Sequence, residues 1–445
     1  MAERILGGPD RIRGARFAWT VRKRPSRYLA LTAACLMALG AVAGCSSSSS
    51  STSSGSSNNS SGSAATPLKI GALVDLSGAC SGTGPPILDG MKIAAEQLNG
   101  TSGVTIGGKK YEIQISDADT QSANVPAVAA AQQLINSDGV KVILGPTCSA
   151  FLTQGIAPVA QKANVIYIDN GPLPGLADPA TAIATAKQYP DVWLDSPRTA
   201  AAAAGYAEGA PAYFPNAKRV FILDDPGGDT VASGMATYLE SLGDTVKVEV
   251  YPFNTTDFTP YLTKVEAFKP SLLLYGATEV ESLAILKQAV TLNAAPAYYT
   301  VNGSCCQDPV SNAIGKPITA PWAGLAFPFS MQFPTSAKVL SIKAALTSMG
   351  GLGPEDSFAV VGYDQVSLII QAMQRAGTAD DVAAIDKAFA TGSFTLIEGG
   401  SGITFDAGHA PSKSSQDICE VLTGKVTCKN FVYPPSNFHG DQLTG

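Results

Sequence analysis

From residue 67 onward the chain alternates short runs of β-branched and apolar residues with longer amphipathic runs. Residues 68–76 predict a strand. Residues 85–98 predict a helix with Ile87, Met91, Ala94, Ala95 and Leu98 on one face, opened by Pro85-Pro86 and stopped at Asn99-Gly100. Strand-like runs follow at 110–116, 140–145 and 164–169, separated by helical runs at 125–136 and from about 149. The alternation resumes with strands at 219–223, 245–251, 271–275 and 297–301 and helices near 231–242, 259–268 and 280–292. A strand near 321–329 leads into helices at 336–348 and 356–376, and the end of the chain is β-rich. Strands that alternate with helices build parallel sheets, so the two stretches predict an α/β protein with two doubly wound parallel-sheet lobes.

In open α/β sheets, ligands bind beyond the carboxyl ends of the strands. Those ends read Asp75-Leu76-Ser77-Gly78, Gly145-Pro146-Thr147-Cys148-Ser149, Asp169-Asn170-Gly171, Asp224-Asp225-Pro226-Gly227-Gly228, Tyr275-Gly276-Ala277-Thr278 and Asn302-Gly303-Ser304. They are short and polar and lead into helices, whose free N–H groups suit an anionic group such as a carboxylate. Ordinary turn chemistry selects the same residue types.

Composition narrows the chemistry. With 45% hydrophobic and 15% charged residues, most of the chain can bury a core. The net charge of −6 is uneven: residues 45–445 hold 22 basic and 34 acidic groups, which argues against nucleic acid as a partner. The two histidines, His409 and His439, lie near the C-terminus, away from any strand-to-helix loop, and read as a turn residue and part of a tail. No G-x-S-x-G elbow is present, and no Ser or Cys nucleophile has a plausible base. Gly103-Val104-Thr105-Ile106-Gly107-Gly108-Lys109-Lys110 nearly fits a phosphate loop, but Lys110 stands where a hydroxyl is needed and a strand follows, so it reads as a hairpin or loop. Asp224 with Asp225, and Asp380 with Asp381, read as solvated turn acids. No metal set or cofactor motif emerges, and the chain does not read as an enzyme.

Residues 1–45 read as an export signal: a basic stretch with Arg11, Arg13, Arg16, Arg22, Lys23, Arg24 and Arg27, then an apolar run at 28–42, too short for a comfortable membrane span. The run ends in Val42-Ala43-Gly44-Cys45, similar to the lipobox of bacterial lipoproteins, in which the Cys45 thiol would carry a diacylglycerol. An ordinary signal with an incidental cysteine is the alternative. Residues 46–66, nearly all Ser, Gly, Asn, Ala and Thr, predict a flexible tether. Six cysteines remain beyond Cys35 and Cys45, an even number in an exported chain. Around Thr423-Gly424 a hairpin register sets Leu422 opposite Lys425, Val421 opposite Val426 and Cys419 opposite Cys428, which predicts a Cys419–Cys428 disulfide. Cys80 and Cys148 each follow a strand-like run and would bridge if those strands are neighbours. Cys305-Cys306 would then be a vicinal disulfide or two thiols; free thiols throughout are the alternative.

From about residue 68 to residue 432 the chain resembles the type I periplasmic binding proteins, in particular the branched-chain amino acid receptors of ABC importers. The resemblance is carried by Ile70-Gly71 with Leu76-Ser77-Gly78, by Gly90-Met91-Lys92-Ile93-Ala94-Ala95-Glu96-Gln97-Leu98-Asn99, and by Val142-Ile143-Leu144-Gly145-Pro146. It continues in Ala157-Pro158-Val159-Ala160, Thr256-Asp257-Phe258-Thr259-Pro260, Lys269-Pro270, Gly362-Tyr363-Asp364 and Gly402-Ile403-Thr404-Phe405-Asp406. It implies two lobes joined by three crossovers, expected near 192–198, 323–329 and 398–402, with lobe one at 67–192 and 327–398 and lobe two at 193–326 and 399–445. Trp193 and Trp322 fall beside two of them, where they could equally be core aromatics.

The resemblance also implies a set of ligand contacts. The loop with Ser77, the pair Cys148-Ser149, and Asn170-Gly171 would contact a solute carboxylate, with Ser149 as the principal hydroxyl. Pro172 replaces a further hydroxyl. Aromatic positions that usually cover the ligand map onto Thr83, Gly228 and Thr278, and the acid that usually meets the ligand ammonium maps onto Asn302. These departures weigh against an aliphatic α-amino acid. The implied role is a lipid-anchored, extracytoplasmic receptor that delivers a small organic solute to an ABC permease. An extracytoplasmic sensor feeding a signalling partner is the alternative.

Overall fold

The computed structural model describes residues 65–438, apart from Ala79 and 147–149, 170–178, 225–228, 253–254, 277–278, 302–319, 327–335, 351–355 and 423–424. The signal-like segment, Cys45, the tether up to residue 64, Cys148, Cys305, Cys306 and His439 lie outside the described residues, while Thr66, expected at the end of the tether, opens the first strand.

The first apolar runs form one sheet. It holds β1 (Thr66–Val74), β2 (Val104–Ile106), β3 (Lys109–Asp119), β4 (Val142–Leu144), β5 (Ile166–Asp169) and β6 (Val192–Leu194) in the order β2-β3-β1-β4-β5-β6. All neighbours are parallel except β2, which pairs antiparallel with β3. The near-phosphate-loop sequence is this β2–β3 hairpin, turning on Gly107 and Gly108, whose φ of 55° and 78° is left-handed. That backbone favours glycine.

The second sheet contains β7 (Arg219–Asp224), β8 (Thr245–Val250), β9 (Leu272–Tyr275), β10 (Tyr298–Thr300) and β11 (Trp322–Ala326). After a small hairpin of β12 (Phe394–Leu396) and β13 (Gly400–Ile403), the chain returns to add β14 (Ser414–Leu422) and β15 (Lys425–Tyr433). Its order is β15-β14-β11-β10-β9-β7-β8, parallel from β8 to β11 and antiparallel beyond.

Near-continuous apolar strands arise because each sheet is buried on both faces. Ile70, Ala72 and Val74 enter one core while Leu73 enters the opposite one; Ile166 and Ile168 likewise oppose Tyr167. In the second sheet Val220 and Ile222 oppose Phe221 and Leu223. On one face of the first sheet the helix Gly84–Asn99 crosses the helix Ala359–Ala376 with their backbones in contact. A Cβ on Gly90 would lie 1.9 Å from the Ala359 carbonyl oxygen, and one on Gly362 would lie 2.0 Å from that of Ile87.

The β14–β15 register sets Leu422 opposite Lys425, Val421 opposite Val426 and Cys419 opposite Cys428. Cys419 and Cys428 are bonded, with Cα atoms 3.9 Å apart. Thr423-Gly424 lies outside the described residues.

Several expected boundaries shift. The helix expected through 136 runs from Asn124 to Gln133 and then widens into a π turn, Leu134–Asp138. The helices Pro179–Gln188, Thr199–Ala207 and Val382–Thr391 were not expected. The first two are so rich in alanine that their pattern has little period to read.

The first lobe does not end at 192, since Trp193 and Leu194 belong to β6; the chain crosses at 195–198 instead. The third crossover is not at 398–402 but near Lys413-Ser414. Ile403 and Phe405 are buried in the first lobe's core with Trp193, Phe389 and Phe394, which keeps residues 400–411 on that lobe. Trp193 and Trp322 are both core residues, each 1% exposed.

Candidate solute-binding site

Seven of the expected contacts, Cys148, Ser149, Asn170, Gly171, Gly228, Thr278 and Asn302, lie outside the described residues. The strands that lead to them are well defined. β4, β5, β7, β9 and β10 end at Leu144, Asp169, Asp224, Tyr275 and Thr300. Each expected contact therefore follows the carboxyl end of a parallel strand, and both sheets contribute.

The loop after β1 is described, and it is built on Asp119 at the end of β3. Asp119 Oδ1 accepts from the backbone N–H groups of Leu76, Ser77 and Gln121 at 3.0, 3.2 and 2.8 Å, and Oδ2 accepts from the Ser77 hydroxyl at 2.6 Å. Slight burial opposes ionisation, but the Ser77 hydroxyl and these N–H donors outweigh it and hold the carboxyl below its usual range. The Ser122 hydroxyl donates to the Ser77 carbonyl at 2.8 Å and accepts from Cys80 N–H at 3.1 Å. Gln121 and Ser122 both have left-handed φ, 54° and 52°, a cost that this network carries.

Ser77 is exposed at this rim, and Thr83 is half-buried with its hydroxyl donating to the Cys80 carbonyl at 3.1 Å. Ser77 and Thr83 thus share one loop. Cys80 is disulfide-bonded; Cys148, the partner expected for it, lies outside the described residues.

In the second lobe the strand ends are tied laterally. Gly276 N–H donates to the Leu223 carbonyl at 3.0 Å, and the Tyr251 hydroxyl donates to the Gly276 carbonyl at 3.1 Å. Asp224 is 3% exposed, and a Cβ on Gly276 would come 2.4 Å from its Oδ1, so the carboxylate needs a residue without a side chain there. Among the described residues no group of three His, Cys, Asp or Glu is placed to hold a metal ion.

The crossovers carry the remaining polar chemistry. Gln365 Nε2 donates to Asp195 at 2.7 Å, and Arg198 forms a two-pronged pair with Asp406, its Nη1 lying 3.0 Å from Oδ1. Asp364 accepts from the N–H groups of Ile397 and Glu398 at 2.9 and 2.8 Å. Ser414 donates to Glu398 Oε2 at 3.1 Å, and Gly399 N–H donates to the Ser415 hydroxyl at 2.8 Å. His409 sits in a turn with φ of 61°, but its ring also stacks on Trp193 at 3.8 Å, and its Nδ1 lies 2.7 Å from the Val192 carbonyl. Asp119, Asp195, Arg198 and Glu398 were not anticipated as structural centres. Asp364 had only its place in Gly362-Tyr363-Asp364 as a signal, and it shares its helix face with Ser367 and Gln371.

Residues 67–416 match the family model for periplasmic binding proteins. The chain belongs to that family. Its members bind small solutes rather than transform them, work with ABC transporters and are extracytoplasmic; no described helix is long and apolar enough to cross a membrane. Among curated relatives, the periplasmic binding protein is similar to Leu/Ile/Val-binding protein homolog 7 of Brucella suis biovar 1 (strain 1330), 24% identical over 388 residues, covering 83% of this chain and 92% of the relative. Among solved structures it resembles the branched-chain amino acid transporter substrate-binding protein LivJ of Streptococcus pneumoniae in complex with isoleucine. That match has a TM-score of 0.64 at 20% identity and covers 82% of this chain and 99% of the other. It also resembles an R. palustris ABC-transporter solute-binding protein in complex with benzoate, TM-score 0.62 at 21% identity, over 81% and 95% of the two chains. At these identities the two structures speak to the fold.

Proposed function

We propose that this periplasmic binding protein is a receptor, anchored through a lipid on Cys45, that captures a small organic solute between its lobes and hands it to an ABC permease. The solute class is an amino acid or a related carboxylate or amide. The observation that carries the reading is the arrangement of the strand ends: β1, β4 and β5 of one sheet and β7 and β9 of the other each lead through polar sequence into a helix, so two lobes can offer N–H groups and hydroxyls to one anionic group. Ser77, Cys148, Ser149, Asn170 and Gly171 would serve the carboxylate from the first lobe. Thr83, Gly228 and Thr278 would line the remainder, where small residues leave room for a bulky solute. A neutral Asn302 suits a solute without an ammonium group. Relatives of this fold have been seen with isoleucine and with benzoate, so both chemistries belong in the test.

The test is a thermal-shift screen of the mature chain against amino acids, amides, and aliphatic and aromatic carboxylates. A true ligand at about 100 times its Kd adds roughly 2.7 kcal/mol of stability. The expected outcome is a large shift with a carboxylate lacking an α-ammonium, lost in Ser149→Ala. A largest shift with leucine, isoleucine or valine would overturn the weight placed on Asn302, and no shift with any amino acid, carboxylate or amide would overturn the solute class.

A further inference from the structure

The joint between the lobes contains a buried carboxyl with no cation. Glu398, in the turn after β12, is 7% exposed. Its Oε2 accepts from the Ser414 hydroxyl on β14 at 3.1 Å, so the side chain spans the third crossover. Its Oε1 is buried and has no hydrogen-bond partner. Facing it are Asp364 from the helix Ala359–Ala376, Asp195 from the first crossover, and Tyr206 and Tyr433 from the helix Thr199–Ala207 and from β15. The cations of the adjoining elements are engaged elsewhere: Arg198 is paired with Asp406, and Lys338, which acts on Asp364, donates to the Tyr363 hydroxyl at 3.0 Å. Among the described residues no cation pairs with Glu398.

Three carboxyls so close cannot all ionise in a poorly hydrated site. Which one keeps a proton follows from the hydrogen bonds. Asp364 accepts two backbone N–H groups and Asp195 accepts an amide N–H, donors that favour their charged forms. Glu398 has one hydroxyl donor and one bare oxygen. Burial first, then the charges of Asp364 and Asp195, pushes its carboxyl well above the usual range. Asp364 also lines a cavity of about 410 Å³ with Lys338, Tyr363, Ser367 and Ile397, which has room for water beside Asp364, at the edge of the cluster.

We propose that the hinge is a proton-gated joint: neutral Glu398 latches the third crossover through Ser414 in the arrangement seen here, and its ionisation beside Asp364 and Asp195 releases that crossover. The gate lies in the frame that any solute would use and is independent of which solute is bound. It couples lobe motion, and with it solute retention, to the acidity outside the cell. Loss of the proton leaves an anion beside two others in a poorly hydrated site. Asp364 stays bonded to the 397–398 backbone, so the relief available is hydration of Glu398 as Ser414, Tyr206 and Tyr433 of the second lobe draw away from it.

The direct test is hydrogen exchange of the ligand-free chain, corrected for intrinsic rates and read at the amide of Gly399, which donates across the joint to the Ser415 hydroxyl. Protection should fall by up to about tenfold per pH unit as the pH rises from the ordinary carboxylate range toward the folded value of Glu398, and level off above it. In Glu398→Gln, which keeps an acceptor for Ser414 and carries no titrating proton, protection should stay flat over the same range. The infrared difference between wild type and Glu398→Gln at neutral pH should show the protonated-carboxyl intensity of one group lost in the variant. Should that variant fail to fold, Ser414→Ala serves: it removes the one donor of the latch, so protection at Gly399 should already be low at acid pH. Flat protection in wild type, an identical fall in Glu398→Gln, no protonated-carboxyl intensity lost in Glu398→Gln, or wild-type protection at acid pH in Ser414→Ala would each overturn the gate. Because solute is absent, none of these outcomes depends on the proposed solute class.

Discussion

Asp119 shows how one side chain organises the rim of the first lobe. It gathers three backbone N–H groups and one hydroxyl from segments more than forty residues away in sequence, Leu76 and Ser77, and from the adjacent turn. Asp119→Ala should leave these donors to water and loosen the loop from Ser77 to Thr83. A loss of about 1–2 kcal/mol is expected, reduced from the full value of charged hydrogen bonds because the site is largely exposed. Urea unfolding measures the loss, and an unchanged midpoint would mean that the disulfide at Cys80 already holds the loop. The sign with pH is definite: the folded carboxyl lies below its unfolded value, so its contribution is present above the usual carboxylate range and is lost as pH falls through the folded value. Nothing in the string Asp117-Ala118-Asp119-Thr120 distinguishes this acid from its neighbour Asp117, which is paired with Lys92 at the surface. The distinction comes from where β1 ends beside β3.

Among the elements, the crossing of the helices Gly84–Asn99 and Ala359–Ala376 is the most constrained. At Gly90 and Gly362 the two backbones touch, and a methyl group on either would collide with a carbonyl oxygen of the other helix. Gly362→Ala should force the helices apart and cost about 1–3 kcal/mol or more, measured by the urea midpoint at constant slope. A neutral result would show that the helices can separate without loss. The amphipathic stripe of the first helix was legible in its sequence, since Ile87, Met91, Ala94 and Ala95 are all buried. Its partner, lying more than two hundred and fifty residues further on, was not, because periodicity states which face is buried and not against what. The β14–β15 hairpin is the opposite case. Its register follows from turn position and strand alternation, both local, so the Cys419–Cys428 pair could be read directly.

For the whole molecule, several acids lie above their usual range: Asp386 is pushed up to about 8 by burial and then by Asp191, and Glu208 and Asp364 are each pushed up to about 7, chiefly by burial. Such groups bind more protons folded than unfolded between their unfolded and folded values. Stability should therefore fall as pH rises from about 5 to about 8. His409, pushed below its usual value mainly by burial, opposes this as a single group as pH rises toward the ordinary imidazole range. Urea unfolding at about pH 5.5 and about pH 8.5 tests the sign, and greater stability at the higher pH would contradict it. The alternation of strands and helices, the two sheets, the hairpin disulfide and the loops that end each parallel strand were all present in local pattern, because they depend on side-chain period and turn chemistry over a few residues. The path of the third crossover and the assembly of Asp195, Asp364 and Glu398 at one joint were not. They depend on Ile403 and Phe405 finding Trp193, and on acids from distant segments being brought out of water together, which folding does and no local pattern encodes.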